Sequence, residues 1–283
     1  MPEGDDVWRA AARLHTALAG KRLAASDFRV PAFATLDLSG WTVLEVVSRG
    51  KHLLHRLAPP PSQHSDRLSI HTHLKMEGSW QVYAAGERWR KPAHTARIVL
   101  RAEDGTSAVG FSLGVVEVLP TAEEGRAVGH LGPDLLGPDW DAARAEANLL
   151  ARPERAIGLA LLDQRNLAGI GNIYRNELCF LAGVHPAQPA AVVRDLPRLV
   201  ATARGLLEAN RARPSRNTTG GFGPRGDYWV YGRAGQACKR CRTRIVHATL
   251  GEAAESAPGT WPVAQHERDI YFCPSCQPAP PSV

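Results

Sequence analysis

The sequence lacks the features that mark membrane, secreted and disulfide-stapled proteins. Its 283 residues contain no run of eighteen apolar residues, so we expect no membrane-spanning helix. The chain starts without a basic region followed by an apolar stretch, so we expect no secretory signal and a cytoplasmic location. Cysteine is scarce, with 5 residues, and four of them fall in two CxxC pairs. In a reducing compartment this pattern favours metal binding over disulfides.

Charge and composition indicate a polyanionic partner. The formal net charge is +6, and 44% of the residues are hydrophobic, which is enough for two domain cores. Basic side chains concentrate in residues 211–244, where the single acid is Asp227 and aromatic residues are interleaved. Such a patch is typical of nucleic-acid binding, although a solvated arginine-rich loop would have the same composition.

The spacing of apolar residues predicts a helix, then strands, then more helices. Residues 3–19 have helical periodicity and precede Gly20. Short apolar segments follow from 41 to 119, the last of them at 107–119, and predict a β-sandwich or barrel. The Gly- and Pro-rich segment 120–140 reads as a linker. Residues 141–210 are helical in pattern.

The two CxxC pairs predict a closed tetrahedral metal site. Each pair places two thiolates on one tight turn, and two turns supply four ligands: Cys238, Cys241, Cys273 and Cys276. We predict one structural zinc ion that folds a small β-hairpin. A redox dithiol is the alternative. The extra length between the pairs falls around 247–262, which we expect to be a surface loop. Cys179 lies in an apolar helical stretch and is expected to be buried.

Residues 157–181 predict a helix, tight glycine-containing turns and a second helix. The turn would expose backbone N–H groups and the Asn172 side chain at a helix N-terminus, where a phosphate fits. An ordinary helical hairpin, in which Gly169 and Gly171 only permit the turn, explains the pattern equally well.

The start of the chain carries a possible nucleophile. Removal of Met1 would leave Pro2 with a secondary amine, which can attack a sugar C1′ and form an iminium. The α-amino group has a pKa of roughly 8, so part of it is unprotonated near neutral pH.

Together these segments resemble the formamidopyrimidine-DNA glycosylase and endonuclease VIII family over nearly the whole chain. The resemblance rests on Pro2-Glu3-Gly4, Arg49-Gly50-Lys51, 161–177, 230–233, both CxxC pairs and Arg268. It implies an α+β fold with an N-terminal helix and β-sandwich (1–120), a linker (121–140), a helix–two-turn–helix domain (141–225) and a zinc-finger hairpin with a tail (226–283). It also implies a glycosylase and abasic-site lyase of base-excision repair.

The resemblance assigns roles to individual positions. Pro2 corresponds to the nucleophile, Glu3 to the acid that protonates the sugar ring oxygen, and Lys51, Asn172 and Arg268 to phosphate contacts. The family's wedge loop corresponds to Leu74–Gly78, so Lys75 and Met76 are DNA-binding candidates, as is Gly171 beside Asn172. Met76 would insert between bases, or else serve as a core side chain.

Three departures bear on the substrate and on Asp6. The segment 111–117 lacks the Arg-Phe wedge of the formamidopyrimidine branch, which implies the endonuclease VIII branch and a preference for oxidised pyrimidines. The chain looks closest to an actinobacterial-type second paralogue. Asp6 stands where the family usually has glutamate, which leaves the catalytic contribution of this carboxylate open. Ile270 replaces a common hydroxyl residue.

The implied partner is damaged DNA, as a duplex with an abasic site or oxidised base, or as single-stranded or bubble DNA. We expect a monomer associated with the nucleoid. Two other classes fit parts of the sequence. A non-catalytic damaged-DNA-binding protein would not need Pro2 and Glu3, and an RNA-binding helix–two-turn–helix protein would leave the β domain unexplained.

Overall fold

The computed structural model describes residues 2–221, 226–252 and 265–279. The chain divides into two compact units, residues 1–130 and 131–283. This boundary falls within the segment expected to be a linker, where residues 131–135 are buried. Within the described ranges, none of the helices has the length and apolar character that a bilayer crossing requires.

The first unit begins with helix α1, Gly4–Leu18. Its buried apolar residues recur at helical spacing: Val7, Ala10, Ala11, Leu14 and Leu18. The helix stops before Gly20, whose φ of 77° belongs to the left-handed region that glycine adopts without strain. The helix predicted over residues 3–19 is therefore confirmed.

Eight strands follow α1 and form two antiparallel four-stranded sheets. They are β1 (Leu23–Phe28), β2 (Thr42–Arg49), β3 (His52–Ala58), β4 (Leu68–His73), β5 (Ser79–Tyr83), β6 (Ala96–Ala102), β7 (Ser107–Phe111) and β8 (Val115–Pro120). The sheet orders are β1-β6-β7-β5 and β2-β3-β4-β8. Residues from both sheets and from α1 share one apolar cluster, which confirms the predicted β-sandwich with its N-terminal helix. A short helix, α2 (Gly125–Val128), follows the strands.

The β2-β3-β4-β8 sheet has one apolar and one polar face. Side chains alternate along a strand, so Leu53 and Leu57 of β3 and Ile70 of β4 point into the shared core. The strand register places the polar residues of three strands together on the other face: His52, Arg56, Ser69, His71, His73 and Glu117.

The structure corrects the predicted strand at 107–119. This segment forms two strands, β7 and β8, which belong to different sheets. Ser112 breaks the segment with a φ of 48°, and Ser112, Leu113 and Gly114 carry the chain from one sheet to the other. Strand β1 had no counterpart in the apolar pattern because only its end residues, Leu23 and Phe28, are buried.

The described residues of the second unit form four α-helices and a hairpin. These elements are α3 (Ala142–Leu150), α4 (Ile157–Ala160), α5 (Asn172–Leu181), α6 (Leu196–Arg211), β9 (Val246–Glu252) and β10 (Gln265–Phe272). The helices share an apolar core, and β9 pairs antiparallel with β10. The segment 247–262, expected as a surface loop, contributes residues 247–252 to β9. Its residues 253–262 lie outside the described ranges.

Buried Glu177 ties α5 to the chain that leads into the cysteine region. Its carboxylate accepts hydrogen bonds from the backbone N–H groups of Trp229 (2.7 Å), Val230 (2.9 Å) and Tyr231 (2.9 Å), and from the Thr218 hydroxyl. A buried carboxylate needs such donors to offset its loss of hydration. Residues 229–231 are thereby fixed against α5.

Candidate functional site

The N-terminus of α1 holds the residues predicted to be catalytic. Pro2 is half-buried and directly precedes Glu3, the N-cap residue, which is fully buried. Glu3 and Asp6 form a capping box, in which each side chain accepts a hydrogen bond from the other's backbone N–H. The Glu3 N–H lies 3.1 Å from Asp6 Oδ2. The helix start therefore fixes the position of both residues next to Pro2.

Asp6 has a second contact that defines its place in the site. Its Oδ1 accepts a hydrogen bond from Arg9 Nη2 at 2.5 Å. Both oxygens of this carboxylate are therefore engaged, one in the helix cap and one in an ion pair. This arrangement suits a residue that positions Glu3 and Pro2.

Asp5 lies in the first turn of α1, between Gly4 and Asp6. The structure buries it completely. Carboxylates are rarely buried unless they are paired, so Asp5 belongs with the residues that shape this end of the unit. No periodicity or motif distinguished it from an exposed first-turn acid.

Lys51 lies in the tight turn between β2 and β3. Gly50 takes a positive φ of 56°, and Arg49 pairs with His52 across the turn. A two-residue hairpin turn of this kind favours glycine, which explains the Arg49-Gly50-Lys51 sequence. The turn leaves the Lys51 side chain half-buried at the end of the sheet.

The loop from Leu74 to Gly78 carries the predicted wedge. Its ends meet where the Gly78 N–H donates to the Leu74 carbonyl at 2.9 Å, and a Cβ on Gly78 would lie 2.4 Å from that oxygen. Lys75 is exposed and has a φ of 52°. Met76 is 61% exposed at the loop tip, which excludes the alternative that it is a core side chain.

In the second unit, two tight turns join α4 to α5. Gln164 links them: its Nε2 donates to the carbonyls of Leu162 (2.8 Å) and Ile170 (2.9 Å), and its Oε1 accepts from the Gly169 N–H. Gly169 has a φ of 117° and so needs to be glycine. Gly171 is the N-cap of α5, with extended backbone, and Asn172 is the first helical residue.

The Asn172 side chain was expected to be exposed at the turn, but the structure buries it in a network that joins α5 to β10. Its Nδ2 donates to the Asp269 carbonyl at 3.1 Å, and its Oδ1 accepts from Arg175. Arg175 also donates to the Asp269 carbonyl at 3.0 Å. Asn176 accepts from the Tyr271 N–H at 2.7 Å. These bonds hold the strand that carries Arg268.

Arg268 lies on β10 opposite Leu250 and is exposed. The neighbouring Asp269 carboxylate accepts from His247 Nε2 at 2.8 Å, so this acid already has a partner across the hairpin. Arg175 and Asn176, which position this strand, were not identified from the sequence. Their spacing within α5 is that of ordinary buried helix residues.

The four predicted metal ligands converge. The Sγ atoms of Cys238, Cys241, Cys273 and Cys276 all lie within 4.8 Å of one another, and the Cys241–Cys273 separation is 3.4 Å. Tetrahedral coordination at about 2.3 Å would separate thiolate sulfurs by about 3.8 Å. Four converging thiols fit a metal ion and disfavour the redox-dithiol alternative. Cys179 lies apart from them, fully buried in the helical core, and burial raises the pKa of its thiol to about 12.

Comparison with protein families gives two matches that together cover most of the chain. Residues 1–111 match the N-terminal domain of formamidopyrimidine-DNA glycosylase. Residues 131–209 match the H2TH domain of formamidopyrimidine-DNA glycosylase.

Individual relatives match over nearly their full length. The probable endonuclease 8 2 of Streptomyces coelicolor is 54% identical, over 99% of this chain and 95% of its own. The DNA-(apurinic or apyrimidinic site) lyase Nei2 of Mycolicibacterium smegmatis is 47% identical, over 99% and 100%. Formamidopyrimidine-DNA glycosylase of Lactococcus lactis, solved non-covalently bound to DNA containing an AP site, superposes with a TM-score of 0.74 at 20% identity, covering 98% of this chain and 100% of its own. That likeness shows the fold.

The cysteine cluster generates a prediction about metal content. Cys273→Ser should lose the bound metal ion and destabilise the β9–β10 hairpin, because a structural metal supplies folding free energy directly. Cys179→Ala is the matched control and should retain one metal ion per chain. Elemental analysis combined with thermal unfolding checks both variants. Full metal content in Cys273→Ser, or folded wild-type protein without metal, would contradict the assignment.

Proposed function

Because this chain belongs to the formamidopyrimidine-DNA glycosylase family, in its endonuclease VIII branch, we propose that it uses Pro2 to excise oxidised bases and cleave the resulting abasic site. It is a DNA glycosylase and AP lyase of base-excision repair. The observation that supports the assignment of Pro2 is its half-buried position directly before Glu3, the completely buried N-cap residue of α1.

The proposed reaction begins with the secondary amine of Pro2 after removal of Met1. Its lone pair attacks C1′ of a nucleotide flipped out of the duplex. The base leaves with the electron pair of the bond to C1′ and takes up a proton, while the amine loses one. Glu3 donates a proton to the sugar ring oxygen as the ring opens, which leaves an iminium between Pro2 and C1′. Asp6 does not react in this scheme. It holds the Glu3 backbone through the capping box.

Strand cleavage follows from the iminium. This cation acidifies the C2′ proton, and loss of that proton expels the 3′ phosphate. A second elimination expels the 5′ phosphate, and hydrolysis of the remaining iminium regenerates the free amine. Each elimination moves one proton to solvent and one phosphate to a strand end, so the scheme needs no redox partner.

The proposed DNA contacts are three cations, the start of α5 and the wedge loop. Lys51 and Lys75 in the first unit and Arg268 in the second are the proposed cationic phosphate contacts, and Asn172 is the proposed contact at the start of α5. Gly171 allows the backbone to approach a phosphate at the N-terminus of α5. The exposed side chain of Met76 inserts between bases in place of the flipped nucleotide.

The connection between β7 and β8 supports oxidised pyrimidines as the substrate class. It consists of three residues, 112–114, and Phe111 before it is completely buried. This short turn therefore supplies neither an Arg-Phe pair nor a long loop that could fill the duplex from a second side. Met76 is then the proposed wedge. The Arg-Phe element that would favour oxidised purines as substrates is missing from this turn.

The proposal extends to the metal ion, the oligomeric state and the location of the protein. Zinc is the proposed occupant of the four-cysteine site because a closed Cys₄ tetrahedron is its usual structural site. We further propose a monomer that associates with the nucleoid, with duplex DNA containing an abasic site or an oxidised base as its partner. Single-stranded and bubble DNA are additional candidate substrates.

The nucleophile assignment predicts a separation of cleavage from binding. Pro2→Gly, which replaces the secondary amine with a primary one, should lower single-turnover cleavage of abasic DNA at least 100-fold, while the affinity for that DNA changes less than threefold, since Pro2 contributes chemistry rather than phosphate contacts. Cleavage at the wild-type rate by Pro2→Gly would place the nucleophile elsewhere. Intact binding without cleavage by the wild-type protein would support the non-catalytic alternative.

The short turn at 112–114 predicts the order of substrates. Single-turnover excision of an oxidised pyrimidine should be faster than excision of 8-oxoguanine opposite cytosine, measured in the same duplex sequence at one salt concentration. A faster rate for 8-oxoguanine would overturn the proposed substrate class, while leaving the glycosylase activity itself intact.

The network between α5 and β10 predicts coupling between Asn176 and Arg268. Arg268→Ala should weaken binding to damaged and undamaged DNA and reduce the slope of log K against log salt by roughly 0.9. Asn176→Ala frees the Tyr271 N–H, so it should produce a similar loss that adds little in the Arg268→Ala background. Arg198→Ala, an exposed change on α6, is the control and should leave the slope unchanged. Additive effects of Asn176→Ala and Arg268→Ala would contradict a positioning role for Asn176.

A further inference from the structure

A histidine cluster on the polar face of the β2-β3-β4-β8 sheet has no part in the reaction proposed above. His52 lies opposite His73 in the strand register, and His71 lies opposite Glu117. The His52 ring also contacts His73 and His130, with centroid separations of 4.8 and 6.1 Å. Lys51 directly precedes His52, and Lys75 follows His73 by two residues.

Three of these side chains form a continuous hydrogen-bonded chain. The Glu117 carboxylate lies 2.8 Å from His71 Nδ1, and His71 Nε2 lies 2.7 Å from His52 Nδ1. The two imidazole rings stack with an interplanar angle of 20°. His71 is 4% exposed, whereas His52 is half-buried at the edge of the sheet. Both nitrogens of the buried ring are therefore committed to neighbours.

This chain couples the protonation of His71 to the tautomer of His52. When His71 is neutral, its Nδ1–H donates to Glu117 and its Nε2 accepts, so His52 must carry its proton on Nδ1 and present a lone pair at Nε2. When His71 is protonated, it donates at both nitrogens. His52 must then accept at Nδ1 and carry its proton on Nε2. One proton on the buried ring thus changes Nε2 of His52 from an acceptor into a donor.

The surroundings disfavour a charge on His52 and on His73. Burial, together with the charges of His73, His71, His130 and Lys75, lowers the pKa of His52 to about 3. Burial also lowers the pKa of His73 to about 4, together with Lys75, Lys51 and His71. His71 alone among these rings faces a carboxylate at hydrogen-bond distance.

Two further charged groups interact with the hydrogen-bonded residues Glu117 and His71. The charge of Glu124 interacts with His71, and that of Arg126 with Glu117. Because the pKa of His52 is so low, this ring stays neutral in either state of His71, and only the position of its proton changes.

The cations beside the cluster indicate an anionic ligand. The charges of Lys51 and Lys75 both act on His73, and that of Lys75 acts on His52, so an anion near these rings would meet two ammonium groups. A neutral imidazole with a lone pair at Nε2 repels such an anion, whereas one with an N–H there binds it.

We propose that His52 is a ligand for a DNA backbone phosphate only when His71 carries a proton, so that DNA binding takes up one proton at the Glu117–His71–His52 chain. The identity of the anion rests on the proposed function. The proton comes from solvent and moves to His71, the His52 proton moves from Nδ1 to Nε2, and no covalent bond to DNA is involved.

The sign of the pH dependence follows from linkage. The complex favours the protonated state of His71, so binding strengthens as pH falls and weakens as pH rises. Uptake of one proton corresponds to a change in Kd of up to tenfold per pH unit within the range where histidine titrates, about pH 5 to about pH 8. A group whose protonation does not change on binding contributes nothing to the slope of log Kd against pH.

Binding to a duplex with a tetrahydrofuran abasic analogue tests the proposal without requiring cleavage. Its Kd is measured from about pH 5.5 to about pH 8 at constant ionic strength, for the wild type, Glu117→Gln, His52→Phe and His94→Asn. Glu117→Gln keeps a hydrogen-bond acceptor but removes the negative charge, and His52→Phe keeps a ring without nitrogen. His94 is an exposed histidine outside the cluster, so its variant controls for general histidine titration.

The expected result is a slope approaching one proton in the wild type and in His94→Asn, and a flat profile in Glu117→Gln and His52→Phe. Nitrogen chemical shifts of the imidazoles should also show His52 changing from the Nδ1–H to the Nε2–H tautomer when the duplex is added. A slope that persists in both cluster variants, or DNA binding without pH dependence in the wild type, would overturn this proposal alone. Failure of the wild type to bind the duplex at any pH would overturn the proposed function along with it.

Discussion

The reciprocal hydrogen bonds between Glu3 and Asp6 determine where α1 begins, and the proposed chemistry depends on that point. The capping box leaves Pro2 half-buried immediately outside the helix, directly before the buried N-cap residue Glu3. A frayed helix start would let the amine and the acid move independently. The rest of α1 is held by its apolar face, which packs into the core shared by both sheets.

In the second unit, too, buried side chains hold in place the residues that we propose contact DNA. Glu177 fixes residues 229–231 through three backbone hydrogen bonds. Arg175 and Asn176 fix β10 at Asp269 and Tyr271, on the strand that carries Arg268. The four-cysteine cluster lies next to the same end of the hairpin, where Cys273 directly follows β10. Arg268, which we propose contacts DNA, thus lies on a strand held by a buried polar network, and such networks are costly to leave incomplete.

Much of this organisation could be predicted from the sequence. The apolar period of α1, the strand pattern of the sandwich and the two CxxC pairs each have a direct physical signature, and the structure confirms them. The division of 107–119 into two strands was missed because the apolar run continues through Ser112, and only its backbone conformation breaks it. Strand β1 was missed because it buries only its ends.

The site was predicted less completely than the fold. Pro2, Glu3, Asn172 and the cysteines belong to local motifs, whereas the pairing of His71 with Glu117 and of Asn176 with Tyr271 joins residues far apart in the chain. Such pairs become visible only when the strand register and the packing of the hairpin are known. The buried state of Asp5 is likewise a consequence of tertiary packing.

The most direct measurement is the identity of the residue that forms the covalent bond with DNA. Borohydride reduction during turnover of an abasic duplex should trap the iminium as a stable amine, and peptide mapping by mass spectrometry would locate it. We predict a single adduct on the N-terminal peptide, at Pro2, in chains that have lost Met1. An adduct on a lysine, or no adduct although the duplex is bound and cleaved, would contradict the assignment of Pro2 as the nucleophile.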